Sequence, residues 1–290
     1  MGYLDAIIMG IVQGVTEFLP VSSSGHLAIL EKLFGIQEPD ITFDILLHVG
    51  TLAAVFVIYF TDIRKMIVEG FKLLFDFIWN IGCLIKNLTG SEQVRYRRVI
   101  NSSYRKFVML IIISTIPTGI IGILIKHVVE LAKTDLLMVG ICLLLTACLL
   151  ILCDISEEGG KKPKNVSYGN ALVVGAVQGI AALPGISRSG ATIAACTKLG
   201  FDRKFAVKYS FILSIPAILG AAVLDLKDFV KEASSAQYLG PYLVGTVAAA
   251  VVGYACIRTL LKVVAKRKMK YFAVYCVIAG VASCILHFVM

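Results

Sequence analysis

Two apolar stretches of this 290-residue chain are each interrupted near the middle by a short polar break, and no other feature constrains the fold as much. Residues 4–33 carry Pro20-Val21-Ser22-Ser23-Ser24-Gly25-His26. Residues 169–199 carry Pro184-Gly185-Ile186-Ser187-Arg188-Ser189-Gly190 in the equivalent place. A helix crossing the ~30 Å hydrocarbon core needs about 20 mostly apolar residues. Irregular backbone is tolerated at that depth only where protein or a water-filled cavity surrounds it. Each stretch therefore reads as helix, break, helix: a re-entrant hairpin.

Six further segments read as ordinary spans: Ile41–Phe60, Phe107–Ile125, Leu136–Cys153, Phe205–Leu224, Tyr242–Val264 and Tyr271–Met290. Pro117 and Pro216 fall inside spans, where neighbouring helices can support a kink. The composition agrees. Only 16% of residues are charged, against about a quarter in a soluble domain, so a disordered, collagen-like or coiled-coil chain is excluded and a soluble enzyme nearly so. The eight cysteines form no CxxC pair, and seven lie in or beside apolar runs, where a thiol packs as a small hydrophobe. The first residues lack the basic start of a cleaved signal peptide.

The hairpins resemble each other. Gly10-Ile11-Val12-Gln13-Gly14 faces Gly175-Ala176-Val177-Gln178-Gly179 at an offset of 165 residues, and Ser24-Gly25 faces Ser189-Gly190 at the same offset. Each hairpin precedes three spans. An odd number of crossings per unit inverts the second copy, which is the inverted-repeat plan of many transporters. The expected fold is thus an all-α polytopic membrane protein, an inverted repeat of re-entrant helical hairpin plus three transmembrane helices. It forms one integral-membrane domain over 1–290: repeat one 1–153, with an amphipathic insertion at about 62–103, and repeat two 168–290.

Charge sets the orientation. Segments 61–106, 154–167, 198–208 and 262–270 hold 21 of the 28 basic residues but 8 of the 19 acidic ones. Basic residues concentrate in cytoplasmic loops, so the N- and C-termini are expected outside, with the loop at 225–240 also outside. The net charge of +9 then records topology and gives no reason to expect nucleic acid. The two hairpins enter from opposite faces, and their tips can meet. Asp62–Leu88 mixes Lys65, Lys72 and Lys86 with Phe71, Phe75, Phe77, Ile78 and Trp79 and reads as an amphipathic helix at the cytoplasmic interface, the alternative being a fully soluble linker. The run Arg95-Tyr96-Arg97-Arg98 serves either as a topology determinant or as a contact for anionic lipid headgroups.

The breaks hold the candidate site. Gln13 and Glu17 are four apart and share a helix face. A lone carboxylate at membrane depth costs about 2.5–3.5 kcal/mol even on the lenient insertion scale, so Glu17 needs a cation, a proton or an arginine. In the second hairpin Ser187, Arg188, Ser189 and Thr192 open a helix whose N–H groups and dipole favour an anion, and a guanidinium with hydroxyl donors suits a phosphate. Arg188 either neutralises Glu17 across the repeat interface, or opens around an anion, or does both in turn. His26 lies three residues after Ser23 and four after Ser22, a base or nucleophile near a serine. His48, His127 and His287 have no such neighbours in sequence and read as structural. A carboxylate able to hold a divalent cation, an arginine with hydroxyls and a Ser/His pair are what phosphoryl transfer requires. Inside a membrane, the natural substrate is a lipid with a phosphate head.

The segments Gln13-Gly14-Val15-Thr16-Glu17-Phe18-Leu19-Pro20-Val21-Ser22-Ser23-Ser24-Gly25-His26 and Pro184-Gly185-Ile186-Ser187-Arg188-Ser189-Gly190-Ala191-Thr192 resemble the two signature motifs of bacterial undecaprenyl-diphosphate phosphatases, the bacitracin-resistance family. The resemblance covers the whole chain. It implies hydrolysis of undecaprenyl diphosphate to undecaprenyl phosphate and phosphate in the bacterial cell membrane, recycling the lipid carrier for wall synthesis, with the site open to the outer face. It implies a divalent cation, Mg²⁺ or Ca²⁺, with Glu17 serving metal or water. Ser23 and His26 would supply the nucleophile and proton transfer, with Ser23 favoured as nucleophile. Arg188, Ser187 and Thr192 would bind the diphosphate, assisted by Gln13, Ser22 and Ser189. Position 13 departs from the glutamate that the motif also allows, so the negative charge here falls on Glu17. The implied partners are the polyprenyl lipid and membrane lipids, and a homodimer is left open. The competing reading is a flippase or transporter of undecaprenyl phosphate or another phosphate-bearing anion, because inverted repeats with a midplane site are also a transporter plan.

Overall fold

A computed structural model of the chain describes residues 2–34, 41–90, 93–157, 159–224 and 239–289. Among these the regular structure is helical apart from one isolated bridge, Lys161 to Phe201. The first half contains α1 (Tyr3–Phe18), α2 (Ser23–Leu33), α3 (Ile41–Ile58), α4 (Phe60–Thr89), α5 (Ser103–Leu124), α6 (Lys126–Thr134) and α7 (Leu136–Ile155). The second contains α8 (Tyr168–Ile180), α9 (Arg188–Lys198), α10 (Arg203–Leu224), α11 (Leu239–Ala265) and α12 (Lys270–Val289). Helices α5, α7, α10, α11 and α12 are long and apolar enough to cross a membrane, and α3 with α4 adds a sixth as a bent pair. Five of the six expected spans are therefore present, the sixth, Ile41–Phe60, falls on α3, and each interrupted stretch is a pair of helices, α1 with α2 and α8 with α9, while residues 225–238 of the expected outer loop lie outside the described residues.

Small residues decide which helices touch. A Cβ on Gly10 of α1 would overlap the Gly245 carbonyl oxygen of α11, and one on Gly14 would press on Ala249 and Gly253. A Cβ on Gly175 of α8 would likewise overlap the Ser114 carbonyl of α5, and Gly179 sits against Ile121. In lipid, close backbone approach at small-xxx-small patterns is what drives helix association. The repeated Gly-x-Val-Gln-Gly segment is thus a packing device in both halves. The pairing is also exchanged: α1 packs on α11 of the second half, α8 on α5 of the first, and α7 and α12 pack on each other.

Helix α4 turns 87° away from α3. If α3 crosses the membrane, α4 runs along its surface. Its exposed Phe71, Phe75, Phe77, Ile78 and Trp79 then face the lipid. Arg105 at the start of α5 pins the helix, donating to Glu69 at 3.0 Å and Asp76 at 2.6 Å. Arg97 also reaches Asp76 (3.3 Å) and lies over the Trp79 ring at 4.3 Å. That member of the basic run is therefore turned onto α4. The largest apolar cluster, including Phe18, Val21, Ile193, Phe211 and Ile257, joins the two hairpins to α10 and α11 and holds their tips together.

Candidate active site

The two breaks are built by one local device. Helix α1 ends at Phe18, and α2 restarts under Ser22, whose Oγ accepts the Gly25 N–H at 3.3 Å. Helix α8 ends at Ile180, and α9 restarts under Ser187, whose Oγ accepts the Gly190 N–H at 3.1 Å. Serine is favoured at such positions because its side chain satisfies one of the orphan amides of the first turn. Each break also needs one left-handed residue. In the second it is Gly185 (φ +92°), and in the first it is Ser22 itself (φ +70°). Thr146 of α7 secures the second break, its Oγ1 donating to Gly185 O (2.8 Å) and accepting Ser187 N–H (2.9 Å). The tips interlock, Gly25 against the Gly185 backbone and Gly190 against Pro20.

Glu17 lies at this junction, 8% exposed. The Arg188 guanidinium donates to its Oε1 across the hairpin interface. Ser23 Oγ donates to Oε2 at 2.6 Å, and Gln13 Nε2 donates to the same oxygen at 3.2 Å. The structure thus brings Gln13, Glu17, Ser23 and Arg188 into one cluster. The pairing of Arg188 with Glu17 answers the need for a counter-charge at depth: a buried charge without its partner is strongly destabilising. Arg188 remains about a quarter exposed, with 23% of its side chain accessible, so an incoming anion can reach it.

The other expected residues take different places. His26 is engaged by its Nδ1 with the Ser22 carbonyl (2.8 Å) and by its Nε2 with Tyr275 Oη (2.7 Å). A carbonyl only accepts, so Nδ1 carries the proton and Nε2 of the neutral ring accepts from the tyrosine. The hydroxyl partner of Ser23 is therefore Glu17, and His26 reaches the backbone of Ser22 instead. Ser187 and Ser22 act as caps. Ser189 approaches Phe18 O at 3.4 Å, and Thr192 joins α9 to α10 through Ser210 (2.6 Å). These side chains shape the start of α9, whose amides and dipole remain aimed at the junction.

Two residues escaped the sequence reading. His48 was expected to be without functional neighbours, yet α3 carries it to the site: Nδ1 donates to Asp44 O (2.8 Å) and Nε2 stands 3.8 Å from Glu17 Oε2. An ionisable group inside an apolar span is a functional candidate by default, and that signal was present. Tyr275 comes from α12, 249 residues from His26, and nothing local marks it. His287 instead contacts Asp135 (3.1 Å), away from the site.

The oxygen donors suit a hard cation. Gln13 is fully buried, and its Oε1 has no partner among the described residues. It stands with the Glu17 carboxylate and the Ser23 hydroxyl. No group of three His, Cys, Asp or Glu gathers anywhere among the described residues. A cation here would be held by one carboxylate and an amide oxygen, with substrate phosphate completing its shell, the usual arrangement for Mg²⁺.

Fold and site together define a class: polytopic helical membrane proteins that keep ionised and hydroxyl groups where two broken helices meet. Within that class the chain belongs to the bacitracin resistance protein BacA family, whose model matches residues 6–282. It is 42% identical to a Methanosphaera stadtmanae protein named undecaprenyl-diphosphatase, over 99% of both chains. A protein of that name from Desulforapulum autotrophicum is 40% identical over the full length of both, and one from Alkaliphilus metalliredigens is 42% identical over 95% of both.

Proposed function

We propose that this protein hydrolyses undecaprenyl diphosphate to undecaprenyl phosphate and phosphate. The observation that carries the reading is the hydrogen bond from Ser23 Oγ to Glu17 Oε2 beside the arginine of the opposite hairpin. Transport of an anion needs no serine held against a base, whereas phosphoryl transfer needs a positioned nucleophile and charge neutralisation.

The reaction follows from those contacts. Arg188 and the first turn of α9 bind the terminal phosphate, the guanidinium leaving Glu17 for the more highly charged ligand. Ser23 Oγ attacks the terminal phosphorus, and its proton passes to Glu17 Oε2. The bond from phosphorus to the bridging oxygen breaks, and undecaprenyl phosphate leaves with that electron pair. Water then displaces the serine oxygen and releases phosphate, and Ser23 recovers its proton. Glu17 and Gln13 would hold the divalent cation, which when bound supplies neutralisation of phosphate oxygens. His26, fixed by Ser22 and Tyr275, stands beside the nucleophile's turn and is read as the proton carrier for water.

The same reading takes the two halves as inverted copies in the cell membrane, with both termini outside and the site open to the outer face. The exchanged packing of α1 on α11 and α8 on α5 supports the duplication, and the basic segments support the orientation. Phosphate release from undecaprenyl diphosphate by the purified protein in detergent tests the activity, with Mg²⁺, with Ca²⁺ and with chelator. Cation-dependent release is expected. Movement of the monophosphate between leaflets with no phosphate released would establish the transport reading instead. A single cysteine placed within 225–240 of a Cys-less variant should label from outside intact cells, and labelling only after permeabilisation would invert the topology.

A further inference from the structure

Away from the hairpin junction, a cavity of about 330 Å³ opens on the basic face, between the first turns of α4, α5 and α10 and the segment around Lys162 and Pro163. Three lysines line it, Lys162, Lys204 and Lys208, together with two carboxylates that are already committed. Asp62 receives Lys208 at 2.9 Å and Tyr104 Oη at 3.0 Å. Asp202 accepts the Phe205 amide at 2.9 Å and so caps α10. Lys162 and Lys204 are exposed and have no ion-pair partner among the described residues. The cavity therefore keeps a positive surplus, with the Ser103 hydroxyl and the N-terminal end of α5 on its wall. Its floor is apolar: Phe107 and Phe205 are both buried and pack edge to face at 5.3 Å.

We propose that this cavity binds the phosphate headgroup of an anionic phospholipid of the leaflet on the basic face, such as phosphatidylglycerol. Basic pockets between transmembrane helices at that interface suit such headgroups. Free phosphate shares the headgroup's chemistry, but a phosphate carried by a lipid of the adjoining leaflet meets the apolar lining of Phe107 and Phe205 as well as the lysines. A bound lipid would tie α5 to α10 and to the 161–163 segment. That segment meets Phe201 at the end of the second hairpin through the Lys161 bridge, so the lipid would brace the base of the hairpin that carries Arg188.

Native mass spectrometry of the full chain in detergent tests this, with dioleoyl phosphatidylglycerol, dioleoyl phosphatidylcholine and inorganic phosphate as separate probes. The wild type is expected to bind one phosphatidylglycerol about tenfold more tightly than phosphatidylcholine, the scale of one or two lysines at an anionic surface. Lys162→Gln with Lys204→Gln should abolish the preference, and Lys204→Gln alone should reduce it. Lys266→Gln with Lys268→Gln removes equal charge from the same face outside the cavity and should leave the preference intact. Equal binding of the two lipids, a preference surviving in the cavity variant, or equal loss in the control variant would overturn the proposal. Inorganic phosphate binding as tightly as the lipid would reassign the cavity to a free anion.

Discussion

The two hairpins share a backbone and differ in chemistry. Each opens with a Gly-x-Val-Gln-Gly helix, breaks, and restarts under a serine cap that holds the amide three residues on. At the 165-residue offset, however, Glu17 corresponds to Ala182, Ser23 to Arg188 and His26 to Ala191. The first hairpin carries the Glu17 carboxylate and the Ser23 hydroxyl, proposed as nucleophile, and the second carries the Arg188 guanidinium. The two turns are alike in sequence and in their serine caps, and each carries what the other lacks. The backbone follows the same division: the left-handed residue is a glycine in the second hairpin but Ser22, next to Ser23, in the first. Strain on a non-glycine residue costs of order 1–3 kcal/mol and persists where the surroundings fix it.

Four comparisons test that division, beginning with the largest expected effect. Ser23→Ala should lower phosphate release by about 10³-fold or more, as removal of a nucleophile does. Ser189→Ala, one residue beyond Arg188, which is the counterpart of Ser23, should stay within about tenfold because it removes two long, weak hydrogen bonds, to Phe18 O and Ser187 Oγ. Equal losses would mean that the hairpins are not specialised. Arg188→Lys keeps the charge but loses the fork that grips two oxygens; a fall of about 100-fold is expected in steady-state turnover. Full activity there would reduce Arg188 to a counter-charge. His48→Gln and Tyr275→Phe remove positioning contacts to Glu17 and His26, and each should cost about tenfold with thermal stability little changed.

The smallest effects concern the caps. Ser22→Ala and Ser187→Ala should each cost about 1 kcal/mol in thermal unfolding. Glycine should then separate the two positions. At residue 22 it relieves the left-handed conformation, so Ser22→Gly should be milder than Ser22→Ala by more than Ser187→Gly is milder than Ser187→Ala. Equal differences at both sites would show that Ser22 carries no strain.

Much of this was legible in the chain because apolar length and polar breaks act locally. The spans, both hairpins and the Glu17–Arg188 pairing follow from the cost of exposed backbone and unpaired charge in lipid. The Gly10 and Gly175 motifs were visible as a repeat, but their use as helix contacts depends on α11 and α5, which lie far away in sequence. His48 and Tyr275 stayed hidden for the same reason: rotation of α3 and α12 about their axes, set by packing, decides whether those side chains face the site. The partner of Ser23 was also not fixed by spacing. His26 is closer in sequence, but the turn at Ser22 directs its ring to a carbonyl and leaves the hydroxyl to Glu17.

The division of labour is tested most directly by a double-mutant cycle across the hairpin interface. Turnover of undecaprenyl diphosphate would be measured for the wild type, Glu17→Gln, Arg188→Gln and the combined variant, each checked for folding by thermal unfolding. Residues that act as a unit lose function non-additively. Each single change is expected to reduce phosphate release by about 10³-fold, and the double variant should be no worse than either. Either single variant retaining turnover within tenfold of wild type, or two losses that simply multiply, would contradict a site shared between the two hairpins.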